Sequence, residues 1–172
     1  GKFDPNDKDG AYCLVERNLF DGADGEGTEI LSLKSNYNRV ISNTVLSSRG
    51  CLNIRQGSHN EVRDNIVLGK GAAGAQGLRM SGSYNTVQGN YVAGCDWGIR
   101  IQTGEYIASA LTSSYEANVK EKKGKKGEEG TEMNVAKYPP VKELLLADNT
   151  CANNTGADLE VGFAYKKRWP ES

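Results

Sequence analysis

Lys34 and Arg55 each end a short apolar run, 29-EILSLKS-35 and 52-LNIRQG-57, and stand 21 positions apart. Arg79 in 77-GLRM-80 and Arg100 in 98-GIRI-101 repeat that interval. Cations recurring at one interval gather on one face if the fold repeats at that interval, and a row of them can hold a polyanion. The chain as a whole has no positive field to do so: 21 basic and 22 acidic side chains leave a formal net charge of −1. Nucleic acid is therefore not an expected partner, and any polyanion must be bound by a local arrangement. The same four residues would equally serve as solvent-facing strand positions that keep a stack soluble, so their meaning depends on what positions them.

A repeat positions them. Segments 15-VERNLF-20, 40-VISNTV-45, 62-VRDNIV-67, 87-VQGNYV-92 and 146-LADNTC-151 share one frame: apolar, two variable, Asn, one variable, apolar. The Asn falls at 18, 43, 65, 90 and 149, and Asn38, Asn60 and Asn85 stand five residues before three of them. Strand-like runs at 29–34, 52–57, 77–82, 98–104 and 158–162 lie between, each closed by a polar or Gly turn. Repeats of this length, with short strands and with Gly and Asn at the corners, predict an all-β fold. The architecture they suit is a single-stranded right-handed parallel β-helix of about five to six coils. One coil cannot bury its own apolar face, so coils stack and inward Val, Ile and Leu form a column. A leucine-rich repeat has a similar period but needs a Leu lattice that is missing. Asn at a corner tolerates left-handed backbone and can bond the Asn of the next coil, so the Asn columns read as structural. Counted from them, Lys34 aligns with Gln56 and Arg55 with Leu33, an offset of one position that a turn or bulge after the strand would absorb.

The 172 residues suffice for one domain spanning 1–172. With 21 Gly, 4 Pro and 8% aromatic residues, a helical bundle is disfavoured. Between Asn90 and Asn149 the frame is interrupted by an insertion at 105–139, which contains the charged, Gly-broken stretch 119-VKEKKGKKGEEG-130. It reads as an excursion from one corner, either a solvated loop or a flap over a groove, with Tyr106, Tyr115 or Lys residues as its contacts to a sugar chain. Cys13, Cys51, Cys95 and Cys151 lack CxxC spacing, so a zinc site is not expected. Free, buried thiols are favoured over two disulfides, since Cys13 and Cys151 take apolar or small positions of the repeat. No apolar run approaches the ~20 residues that span a bilayer, and no signal pattern opens the chain. The first residues, GKFDPNDKDG, read like a segment of something longer.

The stretch DGEGTEILSLKSN and, one coil later, RGCLNIRQGSHN resemble polysaccharide lyase family 6, the alginate lyases and chondroitinase B. The later runs GLRMSGSYNTVQGNYV and LLLADNTCANNTGADLEVGFAY look like the family's downstream coils. The likeness covers about residues 12–104 and 140–165, and its specific feature is the spacing from Lys34-Ser35 to Arg55 inside an Asn-ladder repeat. It implies a right-handed parallel β-helix that cleaves a 4-linked uronate polymer by β-elimination, alginate before dermatan or chondroitin. The proton at C5 is poorly acidic beside an ionised carboxylate, so neutralising that carboxylate stabilises the enolate-like state. By resemblance Lys34 is the base, which requires nearby positive charge to lower its pKa, and Arg55 is the acid at the leaving O4. Arg79, Arg100, His59 and Gln56 take substrate-binding positions, the two Arg holding uronate carboxylates. His59 also fits a plain turn residue, and Trp97 and Tyr91 suit core or corner packing as well as stacking on a sugar.

The resemblance further implies Ca²⁺ held by acidic and amide oxygens. Glu29 stands five before Lys34, as the family's second Glu ligand does. The first should be at 27, which is Gly here, and Glu26 is the nearest substitute. Gln56 stands where many members carry His. A calcium site completed by Glu26 and Glu29, a metal-free variant and a partial site are the alternatives. A secreted or periplasmic location and an acidic polysaccharide partner follow from the same resemblance, with no membrane involved. The family's N-terminal cap is missing, so an open first coil is expected to pair with another copy or with further coils. The reading from a different class is a non-catalytic β-helix, carbohydrate-binding or structural, or a fragment of a larger lyase.

Overall fold

The computed structural model describes residues 10–102 and 141–163. The expected insertion at 105–139, with Tyr106 and Tyr115, lies outside the described residues. Among those described, the chain is all-β and built in coils of three strands. The first coil holds β1 (Leu14–Glu16), β2 (Leu19–Asp21) and β3 (Glu29–Leu33); the second β4 (Arg39–Ile41), β5 (Thr44–Leu46) and β6 (Gly50–Ile54). The third holds β7 (Glu61–Arg63), β8 (Ile66–Leu68) and β9 (Ala75–Met80); the fourth β10 (Thr86–Gln88), β11 (Tyr91–Ala93) and β12 (Ile99–Gln102). The fifth holds β13 (Leu145–Ala147), β14 (Thr150–Ala152) and β15 (Leu159–Phe163). Each strand pairs in parallel with its counterpart one coil away, giving three sheets, each five strands deep: a parallel β-helix. No described helix is long and apolar enough to cross a membrane.

The repeat frame explains this geometry. Each three-residue strand of the first two sheets turns only its middle residue inward, which is the apolar position of the frame. Val40, Val62 and Val87 stack in the first sheet, and Val45, Val67 and Val92 in the second. None of the six is more than 2% exposed. The longer strands of the third sheet turn two columns inward, through Leu31, Leu52, Leu78 and Ile99 and through Leu33, Ile54, Met80 and Ile101. β-branched and Leu side chains fill this narrow interior rung by rung. At the last rung Leu159 and Val161 remain exposed.

Between the first two strands of each coil, the main Asn column makes the corner. Asn18, Asn43, Asn65 and Asn90 each give both backbone and side-chain N–H to the amide oxygen of the next Asn, at 2.9–3.0 Å. Asn38 does the same to Asn60, 22 residues on. The left-handed backbone is not at these Asn, as the sequence suggested, but one residue earlier. Arg17, Ser42, Asp64, Gly89 and Asp148 have φ between 55° and 68°. The preceding residue turns the chain so that the Asn side chain can point along the stack and saturate itself there. The corner before β4, β7 and β10 carries Tyr37, His59 and Tyr84 at its left-handed positions, and Tyr12 takes the same place in the first coil. Their rings stack in one pile, with centroids 4.8–5.3 Å apart and planes within 12°.

All four cysteines are free. Cys51 and Cys95 are buried, and burial pushes their thiols up to about 12 and about 11. Cys13, expected to be buried, is exposed: it takes the ladder position of Asn38 on the first rung, where no described coil covers it.

Candidate active site

The outer face of the third sheet collects the candidate residues. Because Leu31, Leu33 and their counterparts point inward, the alternate positions point out. The first outward column runs Ser32, Asn53, Arg79, Arg100 and Glu160 on five successive rungs. The second follows the strand ends: Lys34 after Leu33, Arg55 after Ile54, Ser81 after Met80, then Gln102 after Ile101. Lys34 and Arg55 therefore sit side by side on adjacent rungs, about 4.8 Å apart in backbone.

Two irregularities remove the offset counted from the Asn columns. Leu33 and Ile54 pair, so the register that is 22 residues at Asn38 and Asn60 is 21 at these strands. The extra residue of the second coil lies just past its strand, where Leu33 O accepts from both Arg55 N (2.9 Å) and Gln56 N (3.3 Å). A compensating bulge at Ile30 restores the longer register at Glu29 and Cys51. Ser81 fixes the bulge from the next rung, its hydroxyl 2.8 Å from Ile54 O and 2.5 Å from Arg55 O.

Glu29 is the hub of the first column. Its side chain is 3% exposed and reaches past the second rung to the third. One carboxylate oxygen accepts from Arg79 Nη2 at 2.6 Å and from Asn53 Nδ2 at 2.7 Å, and the other lies 3.6 Å from Arg55 Nη1. Burial pushes the Glu29 carboxyl up, but the nearby Ser32 hydroxyl, the Asn53 amide and the charges of Arg55 and Arg79 outweigh it and hold it below its ordinary value. Arg100 is bound separately, Nε to Glu160 at 2.7 Å, with its guanidinium 4.4 Å from the ring centre of Trp97. Trp97 is itself buried and so packs under that arginine, whereas Tyr91 is exposed on the second sheet.

Lys34 is exposed, and no described residue forms an ion pair with it. Gln56 is half-buried beside the bulge. His59 is in the aromatic pile with a tyrosine on each face, so it has only a ring edge to offer a ligand. Glu26 is exposed on the loop before β3. Sequence reasoning missed Asn53, Ser81, Glu160 and Arg49. Arg49 is exposed and lies across two left-handed glycines, its side chain 3.6 Å from where a Cβ on Gly27 would be and 3.2 Å from one on Gly74. The outward direction of Asn53 was readable from its place between inward Leu52 and Ile54; its bond to Glu29 was not.

These residues do not fit the implied calcium ion. Glu29 offers a carboxylate already engaged by two guanidinium groups and an amide N–H, and a divalent cation there would face Arg55 and Arg79 directly. Among the described residues no three His, Cys, Asp or Glu side chains converge. The face is instead an array of donors: guanidinium, ammonium and amide groups suited to carboxylate and hydroxyl oxygens.

The arrangement matches known proteins. The chondroitinase B family model matches residues 5–103. The PL6 family polysaccharide lyase of Pseudopedobacter saltans superposes with a TM-score of 0.77 and 38% identity, covering 94% of this chain and 36% of that one. The alginate lyase AlyF-OU02 gives 0.61 and 25% identity, covering 81% and 28%. A PL6 alginate lyase solved with a trisaccharide gives 0.58 and 26%, covering 77% and 27%. The chain thus spans about a quarter to a third of the length of these structures. No curated protein sequence matches it significantly. On the family model and the Pseudopedobacter lyase together, the chain belongs to the chondroitinase B family, polysaccharide lyase family 6.

Proposed function

We propose that the outer face of the third sheet is a lyase site for a 4-linked uronate polymer, with Lys34 as base and Arg55 as acid. The observation that carries this is the pairing of Leu33 with Ile54, which sets Lys34 and Arg55 on adjacent rungs of one face. In β-elimination, neutral Lys34 Nζ takes the proton from C5, the C5–H electron pair forms the C4–C5 double bond, and the C4–O4 bond breaks. The C4–O4 electron pair leaves on O4, which takes a proton from Arg55; Arg55 regains a proton from solvent and Lys34 releases its own there. Nothing is consumed, and the product carries an unsaturated uronate at its new non-reducing end.

Arg79 and Arg100, next to each other in the outward column, extend the cationic face along the solenoid axis, the direction in which a bound polymer would run. Alginate is the first substrate to try, because two of the matching structures are described as alginate lyases. A secreted or periplasmic location would go with such a substrate. The test incubates the folded protein with alginate and with dermatan sulfate and follows near-ultraviolet absorbance of the unsaturated product. Absorbance rising with one polymer, and lost in Lys34→Ala, is the expected result. No rise with either polymer would leave a carbohydrate-binding or structural coil segment as the reading, and activity surviving in Lys34→Ala would remove the base assignment.

A further inference from the structure

A buried carboxylate among donors has two possible uses: to hold a cation from outside, or to hold the protein's own cations in place. At Glu29 the contacts decide. Its two oxygens meet Arg79, Asn53 and Arg55 from the third and second rungs, while its own backbone is on the first. The carboxylate thereby ties three coils together through side chains. Two guanidinium groups against one carboxylate leave this cluster with a net charge of about +1. Arg79 Nε, Glu29 Oε2, Ser32 Oγ and Asn53 Oδ1 are buried without a hydrogen-bond partner, so the cluster keeps both donor and acceptor capacity beside its guanidinium groups. Arg49, exposed above Gly27 and Gly74, adds another guanidinium to the same sheet's leading edge.

Resting on the lyase reading, we infer that Glu29 is a positioning residue that aims Arg55 and Arg79 at the substrate, and that guanidinium groups neutralise the uronate carboxylate without a metal ion. Glu29 touches no reacting atom. It restrains Arg55, which stands one rung from Lys34, and it draws the Arg79 guanidinium toward the first rung, away from Arg100.

The two uses of Glu29 differ in the sign of one measurement. Glu29→Gln keeps the shape of the side chain and removes its charge. If Glu29 positions the arginines, the face becomes more positive: KM for an oligouronate stays level or falls, while kcat drops about tenfold or more because Arg55 is no longer aimed. Neither value changes with calcium or chelator. If Glu29 is a metal ligand, KM rises in the variant and excess calcium reverses the rise. Calorimetric titration of the wild-type protein with calcium chloride gives the same answer without a variant, and no saturable heat is expected. Saturable one-site heat that vanishes in Glu29→Gln, or a KM increase rescued by calcium, would overturn the inference. If the protein produces no unsaturated product at all, the lyase reading fails, but calcium titration and oligouronate binding to both forms still decide what Glu29 does.

Discussion

The Asn65→Asp exchange probes the ladder with a change of a single atom. Asn65 is fully buried. Its amide nitrogen donates to Val40 O and to Asn90 Oδ1, both at 2.9 Å, and its oxygen accepts from the backbone and side-chain N–H of Asn43 at 3.0 Å. Aspartate keeps the two accepted bonds and loses the two donated ones. Each lost bond costs about 1 kcal/mol, and the two oxygens left facing a carboxylate oxygen add about 1–3 kcal/mol more. With the desolvation of a buried charge, the total is about 4–6 kcal/mol near neutral pH, a large share of the ~5–15 kcal/mol of a typical domain.

The same variant has a pH signature. Burial and two facing oxygens raise the folded-state pKa of the new carboxyl above its unfolded value of about 3.9. Protonation is then favoured by the folded state, so the penalty is smallest below the unfolded value and grows as pH rises through the folded one. Urea unfolding of variant and wild type, followed by fluorescence from the buried Trp97 across this range, measures it. Asn18→Asp is the control: Asn18 is exposed on the first rung, and the cost there should stay below about 1 kcal/mol. A penalty at Asn65 that is flat with pH, or no larger than at Asn18, would refute the view that ladder amides are held by their donated bonds.

Other outcomes follow from the site and its frame. Lys34→Ala and Arg55→Ala should each reduce lyase turnover by about a hundredfold or more while Lys34→Ala leaves the melting temperature unchanged, since Lys34 is exposed and no described residue pairs with it. His59→Ala removes two of the three ring contacts in the pile and should cost about 1–3 kcal/mol in urea unfolding, whereas His59→Tyr, matching its neighbours Tyr37 and Tyr84, should be tolerated. Glu29 has a folded pKa below its ordinary 4.5, so its stabilising contribution is complete above that value and is lost as pH falls through the lower one. Acid unfolding of Glu29→Gln should lack that component. Gly77→Ala would press a methyl group onto the carbonyl of Gly98 one coil away, and soluble yield should fall sharply.

The coils were legible because their signal is local and repeated. Apolar–x–x–Asn–x–apolar fixes two strands and a corner in six residues, and five copies of it fix three sheets. The aromatic pile was equally available, since Tyr37, His59 and Tyr84 each stand one residue before an Asn of the ladder, but it becomes meaningful only once that position is known to be left-handed. The register of the third sheet was not available. Whether Lys34 meets Arg55 or Gln56 depends on two bulges that cancel, at Ile30 and at Arg55–Gln56, and no residue type marks either of them. The role of Glu29 was hidden for another reason: its partners lie on the second and third rungs, and the reach of a side chain across a coil leaves no period in the sequence.

The distribution of carboxylates along this face also says where on it a polyanion would be worked on. Arg79 and Arg100 stand on adjacent rungs, about 4.8 Å apart in backbone. Each is paired with a different acid, Arg79 with Glu29 from the first rung and Arg100 with Glu160 from the fifth. Glu29 is shared between Arg79 and Arg55, so that cluster keeps a net positive charge, whereas Arg100 is matched by an acid of its own. Lys34 and Arg49, on the first and second rungs, have no ion-pair partner among the described residues. Arg55 lies 3.6 Å from Glu29. Lys34 stands beside Arg55 past the ends of their strands, whereas Arg49 precedes the start of β6. A uronate whose C5 proton is to be removed needs its carboxylate charge offset at the point of reaction and nowhere else, so the polymer should be held along the third to fifth rungs and broken over the first two. Arg100→Ala should then raise KM with little change in kcat; a fall in kcat at unchanged KM in steady-state kinetics would place the bond being broken at the other end of the row.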